Sequence, residues 1–297
     1  MNSKELFKKK ERTGFLLVVM IPTVLAFLAI RIIPIAETFI FSFFKWSLVD
    51  GVGKFIGLRN YKAVFTDKIF YESLINTFIL AGSGAFLSIV FGLLFAVMLN
   101  SIKRSSVYEA LIFLPVVLTY IPICMIWVWL FNWDNGLINH CLKLVGLSRV
   151  SWLGSKPMTM VSVIIVSIWK VIGYYMVIFS AGIKTISDTY YEAALIDGAS
   201  RRKIFFHITL PLLKPIALLA CVVAIINFLK IFTQVYAITQ GSAGEGTHLS
   251  VLVYDIYNRA FVYAKLGEAS AESMVFMIIL LLLTLIQFRL IGEKNDD

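Results

Sequence analysis

Cysteine, histidine and charge are all scarce in this chain. There are three cysteines, Cys124, Cys141 and Cys221, and their spacing is not that of a disulfide framework or a metal-binding pair. Two of them fall in apolar runs, where a thiol acts as a small hydrophobic side chain. The three histidines, His140, His207 and His248, lack the i, i+4 or Cys/His spacing that gathers ligands onto one metal ion. No metal site is expected. Only 15% of residues are charged while 59% are hydrophobic, a ratio that a soluble core of 297 residues does not accommodate.

What is present instead is a series of long apolar runs. A membrane-spanning helix needs roughly 20 such residues. Six segments meet that length, at Gly14 to Phe44, Leu74 to Leu99, Val107 to Phe131, Met158 to Ile183, Leu210 to Ile238 and Ala271 to Ile291. The runs are continuous and do not alternate with period two, which argues against barrel strands. The expected fold class is an all-α membrane protein with six transmembrane helices.

An even number of spans places both termini on one side, and Lys/Arg counts near the spans identify it as cytoplasmic. That side would hold Lys4, Lys8, Lys9, Lys10, Arg12, Lys103, Arg104, Lys184, Arg201, Arg202, Lys203 and Lys294. The opposite loops carry Lys45, Lys54, Arg59, Lys62 and Lys68, so the bias is partial. Residues 1–13 and 292–297 become cytoplasmic ends, and 14–291 a multi-pass domain in a bacterial cytoplasmic (inner) membrane. The basic start is read as leading into a retained helix, because no Ala-x-Ala site follows the apolar run. The net charge of +9 is spread over loop ends rather than one aromatic-interleaved stripe, so anionic lipid headgroups, not nucleic acid, are the expected counterpart.

Catalytic chemistry is absent from the pattern. Gly241-Ser242-Ala243-Gly244-Glu245-Gly246 has the glycines of a phosphate cradle, but no Gly-Lys-Ser/Thr follows. It reads as a loop leaving the fifth span. No nucleophile lies beside a base and no paired carboxylates fall in an expected cleft. If ATP is used, another subunit binds it.

The polar stretch 184–207 between spans four and five holds the strongest local signal. Thr189 and Glu192 have the spacing of a capping box, which places a helix start at Tyr190. Ala193, Ala194 and Leu195 continue the helix, Gly198 closes it, and Ser200 can cap a second short helix carrying Arg201 to His207. Pro211 then sits where a first-turn proline is tolerated at the start of the next span.

Glu192-Ala193-Ala194, Gly198, Ile208 and Leu210-Pro211 resemble, at fixed spacing, the signature loop of the membrane subunits of binding-protein-dependent ABC importers. Phe55-Ile56-Gly57-Leu58 with Asn60-Tyr61, Phe113-Leu114-Pro115, Trp152-Leu153-Gly154, Ile196-Asp197-Gly198-Ala199-Ser200 and Gln234-Val235-Tyr236 extend the resemblance to the carbohydrate-uptake, maltose-permease-like branch. It covers Gly14 to Ile291. The resemblance implies a six-helix type I permease core (MetI-like) that pairs with a second, homologous permease. It also implies a cytoplasmic ATPase dimer that carries the ATP and Mg, an extracytoplasmic solute-binding protein and a sugar substrate.

In that family the loop couples to the ATPase, which here implicates Glu192, Ala193, Ala194, Asp197, Gly198, Ala199, Ser200, Arg201, Leu210 and Pro211. Physically the role asks for small side chains where a helix enters a groove and for a turn that sets two helices at an angle. Glu192 either completes the capping box or pairs with a basic ATPase residue. No catalytic residue is implied on this chain.

For the solute path, Ser167, Lys170 and Tyr174 share one face of the fourth span, and Asn227, Lys230 and Gln234 repeat the spacing on the fifth. Counting from the loop, the family's sugar-contacting positions fall on Ser167, Lys170, Val171, Tyr174, Ala224, Asn227, Phe228 and Ile231. Aromatic faces and amides suit sugars, and interhelical hydrogen bonding is the competing reading for any one of these residues. Thr233 replaces an acidic residue of many relatives and Lys170 an apolar one, which leaves an anionic sugar open. Arg31 is expected to pair with Glu37, to snorkel toward the interface or to meet the partner subunit, with an ion pair or snorkelling as the default. The rival function is a secondary carrier for a small polar solute working without an ATPase. Such a carrier would show acidic relays, a repeat or interrupted helices.

Overall fold

The computed structural model describes residues 18–102, 105–241 and 249–292. The basic residues up to Arg12, Lys103, Arg104, Lys294 and most of the 241–246 glycine loop lie outside these ranges. The chain divides into two compact units, Met1–Asp67 with Ile256–Met277, and Lys68–Asp255 with Ile278–Asp297.

The first unit begins with helix α1 (Val18–Phe41), which is apolar and buries none of its hydrophobic window. A π-helical turn at Leu28–Ile32 interrupts it just ahead of Pro34. Arg31 and Glu37 are both exposed and, among the described residues, form no ion pair, so the expected pairing is not made. The chain then makes a hairpin, β1 (Phe44–Ser47) antiparallel to β2 (Gly51–Phe55). The first span thus stops short of Phe44, whose backbone pairs with Phe55.

Helix α2 (Arg59–Thr66) follows. Buried Asn60 donates to the carbonyls of Ser42 and Phe44 at 2.8 and 2.9 Å, and the Tyr61 hydroxyl meets that of Ser42 at 2.8 Å. The Asn-Tyr pair therefore ties α2 to the end of α1. Arg259, 4% exposed, gathers three carboxylates: Asp67 at 2.6 Å, Glu268 at 3.3 Å and fully buried Glu272 at 2.6 Å.

The second unit is built on α3 (Lys68–Asn100) and α7 (Lys156–Lys184), which pack against each other more extensively than any other pair. Ala81, Ala85, Ser88, Gly92 and Ala96 are buried along one face of α3, at the spacing that lets two backbones approach closely. At Gly92 a Cβ would lie 2.6 Å from that of Tyr175. The apolar core of the unit includes Leu80, Val163, Val166, Met176 and Phe179.

The third expected span is two helices, α4 (Ser105–Val117) and α5 (Tyr120–Leu130), bent by 100°. Helix α6 (Leu137–Leu144) and the Trp152 segment are joined by buried Asn139, which accepts from the Val150 N–H at 3.0 Å and the Trp152 indole at 3.2 Å.

The fifth expected span is also divided. Helix α8 (Asp188–Ile196) is followed by α9 (Arg201–Leu212), and α9 meets α10 (Lys214–Leu229) at a 66° bend. Pro211 lies in the first turn of the short helical piece Leu210–Leu212, and Pro215 in the first turn of α10 beyond the bend. A second break at Lys230–Phe232 precedes α11 (Thr233–Gly241). After α12 (Leu252–Tyr257), the final helix α13 (Leu266–Gly292) begins earlier than the expected Ala271. Among the described residues, four helices are long and apolar enough to cross a membrane, or up to six if each bent pair counts as one span.

Candidate functional site: a cavity at two helix breaks and a two-helix loop

The breaks at α4/α5 and α10/α11 border one cavity of about 420 Å³ that also meets the middle of α7. Lys170 reaches into it from α7. Its ammonium donates to the carbonyls of Pro115 and Val116, both at 3.0 Å, and lies 4.7 Å from the centre of the Tyr120 ring. These carbonyls belong to the last turn of α4, where an α-helix has no intrahelical donors left and carries its partial negative charge. Lys170 therefore caps the first half of the broken helix while its charge rests on the first residue of the second half.

Of the eight expected path residues, Lys170, Val171, Tyr174, Asn227, Phe228 and Ile231 line this cavity. Ser167 and Ala224 do not: they are 1% and 0% exposed, packed inside the helix interface. A short side chain there is enclosed by its neighbours and does not reach the cavity. Lys230 and Gln234, which the family positions omit, also line the cavity. So do Tyr120 and Tyr175. No periodicity could have found Tyr120, because it enters only through the break after Val117. Gly84 lies under the Phe228 ring, where a Cβ would overlap its edge.

The loop after α7 has the expected two helices but a different first cap. Ser187, not Thr189, is the N-cap, and its hydroxyl accepts from the Thr189 N–H at 3.4 Å. The helix starts at Asp188, two residues earlier than Tyr190, so Glu192 falls beyond reach of the cap. Its carboxylate is solvent-exposed and, among the described residues, unpaired.

Gly198 ends α8 with φ +69°, and the Ala199 N–H donates to the Ala194 carbonyl at 2.9 Å while the Gly198 N–H donates to that of Leu195 at 3.1 Å. This double closure is the Schellman arrangement. Ser200 then caps α9, accepting from the Lys203 N–H at 3.4 Å, as expected. The Tyr191 hydroxyl meets that of Thr209 at 3.4 Å, linking the two helices.

The pair leaves a cleft of about 650 Å³ bordered by Ala193, Ala194 and Asp197, with Ile208 at its edge. Arg201, Ser200 and Pro211 are exposed, and Ala199 and Leu210 half-buried, outside this cleft. Beside it Leu195 and Ile196 are 62% and 86% exposed. Two neighbouring aliphatic side chains so far in the open, on a helix this short, are unusual for a polar surface.

Residues 88–293 match the family described as "Binding-protein-dependent transport system inner membrane component". The chain belongs to that family. It is 35% identical to the probable ABC transporter permease protein YurN of Bacillus subtilis, over 92% of this chain and 94% of the relative. It is 31% identical to the trehalose/maltose transport system permease protein MalF of Thermococcus litoralis, over 97% of this chain and 96% of that one. In fold it is similar to a chain of a bacterial ABC transporter involved in the import of the acidic polysaccharide alginate, with a TM-score of 0.83, 22% identity and coverage of 97% of this chain and 99% of that chain. The all-α six-span expectation and the ABC permease resemblance are thus borne out, with two spans broken.

Proposed function

We propose that this permease forms half of the translocation pathway of an ATP-driven, binding-protein-dependent carbohydrate importer and is not itself catalytic. A second, homologous permease would complete the pathway, a solute-binding protein would deliver sugar from outside, and a cytoplasmic ATPase dimer would hold ATP and Mg. Both termini and the 184–207 loop then lie on the cytoplasmic side of a bacterial inner membrane, with 14–291 as the membrane domain.

The observation that carries this reading is the loop. A Schellman turn at Gly198 fixes α8 against α9, Ala193 and Ala194 leave a cleft, and Leu195 and Ile196 stand exposed beside it. Such a surface suits insertion into a groove of a soluble partner, with Glu192 free to meet a basic residue there. The trehalose/maltose relative and the cavity's aromatic and amide lining support a sugar as solute. Interrupted helices do occur here, so that feature no longer separates an importer from a secondary carrier; the loop does.

The test is affinity purification of the chain from its native membrane in mild detergent, with mass spectrometry of what remains bound. Recovery of an ATPase and a second six-helix permease is expected. Recovery of the chain alone, still active in uptake, would favour the carrier.

A further inference from the structure

The two lysines of the cavity are not equivalent. Lys170 is 5% exposed and directs its ammonium to two backbone carbonyls. Lys230, at the C-terminal end of α10, is exposed, and among the described residues no carboxylate or carbonyl engages its ammonium. None of the residues lining the cavity is acidic.

The helix ends add to this balance. α5 begins at Tyr120 and α11 at Thr233, and both first residues line the cavity. The N-cap Thr119 makes no side-chain hydrogen bond to the first turn of α5. Helix N-termini carry about half a positive charge each, and the C-termini of α4 and α10 about half a negative charge each. Those four contributions cancel to first order, and the two ammonium groups remain. A positive cavity of this kind, in surroundings of low dielectric, favours a solute that brings negative charge.

We propose that the solute is an anionic carbohydrate, bearing a carboxylate or a phosphate ester, and that Lys230 is the residue on this chain that meets its negative group. This rests on the importer reading above and names the substrate class of the same cavity. Lys170 sets the shape of the site, the aromatic rings of Tyr120 and Tyr174 offer faces to the sugar ring, and Lys230 discriminates by charge.

The experiment reconstitutes the complete co-purified complex, with its solute-binding protein, into lipid vesicles. These are supplied with a mixed pool of neutral oligosaccharides, uronate-containing oligosaccharides and sugar phosphates, and the vesicle contents are identified by mass spectrometry with and without ATP. ATP-dependent enrichment of anionic members over neutral ones by at least tenfold is expected. Whether uronates or phosphates accumulate identifies which anion is carried. Lys230→Gln should reduce that enrichment at least tenfold and Lys230→Arg should largely keep it, with complex assembly unchanged in both.

Enrichment of neutral oligosaccharides alone, or anion enrichment that Lys230→Gln leaves intact, would overturn the proposal while leaving the importer reading standing. Absence of any ATP-dependent accumulation would overturn both.

Discussion

The Lys170 ammonium donates to the Pro115 carbonyl across 3.0 Å, joining the middle of one long helix to the last turn of another that stops there. Pro115 and Val116 would otherwise leave two carbonyls without donors at a helix end inside an apolar layer.

Lys170→Met removes both bonds. The expected outcome is destabilisation of about 1–3 kcal/mol per orphaned carbonyl, the cost of a buried unsatisfied group. The check is thermal unfolding of the detergent-solubilised complex together with uptake. Uptake should fall for neutral and charged solutes alike, and Lys170→Arg should recover part of it. An unchanged melting temperature with selective loss of anionic solutes would make Lys170 a solute ligand instead.

Gly198 holds φ +69° with no atom within 4 Å of where a Cβ would stand. The constraint is therefore conformational, not steric crowding by neighbours. Gly198→Val is expected to cost about 1–3 kcal/mol in backbone strain and to open the angle between α8 and α9. Gly198→Asn, which tolerates the left-handed region, should be mild. ATP hydrolysis and uptake measured together check this: the valine variant should hydrolyse ATP with little uptake, and the asparagine variant should do both.

Ser187→Ala and Ser200→Ala each remove an N-cap and are expected to cost about 1 kcal/mol, whereas Thr189→Ala should cost much less. Protease sensitivity of the loop in the isolated complex reads the difference. Equal effects at Ser187 and Thr189 would restore the capping box.

Arg259→Met leaves Asp67, Glu268 and buried Glu272 without their shared guanidinium. Removing one member of a buried ionic cluster costs about 3–5 kcal/mol. Reduced levels of the chain in the membrane and a lower melting temperature are expected, and Arg259→Lys should restore only part, because one ammonium cannot match the three-way fork.

Long apolar runs revealed α1, α3, α7 and α13 in the sequence because hydrophobicity alone decides a continuous span. The breaks in the third and fifth spans did not show, since α4 and α5 are as apolar on either side of Leu118–Thr119 as an unbroken helix would be. What fixes that break is a lysine 52 residues after Leu118, held by contacts that no local pattern encodes. The same limit explains Ser167 and Ala224: spacing places them on the correct helices, but facing the helix interface rather than the cavity. Ser200 and Gly198 were legible because capping is local chemistry. Ser187 and Thr189 are two hydroxyl residues within reach of the same helix start and of each other, so local spacing does not decide between them.

In the coupling role proposed above, the α8–α9 loop converts ATP hydrolysis on a partner into solute movement through this chain. The most direct measurement is ATP hydrolysis and solute uptake, on one vesicle preparation of the whole complex, for the native chain and for a variant with Leu195 and Ile196 both changed to Asp. The variant is expected to lose ATPase binding, and uptake with it, while its membrane domain stays folded. Full uptake by the variant, or uptake by the native chain that ignores ATP, would contradict it.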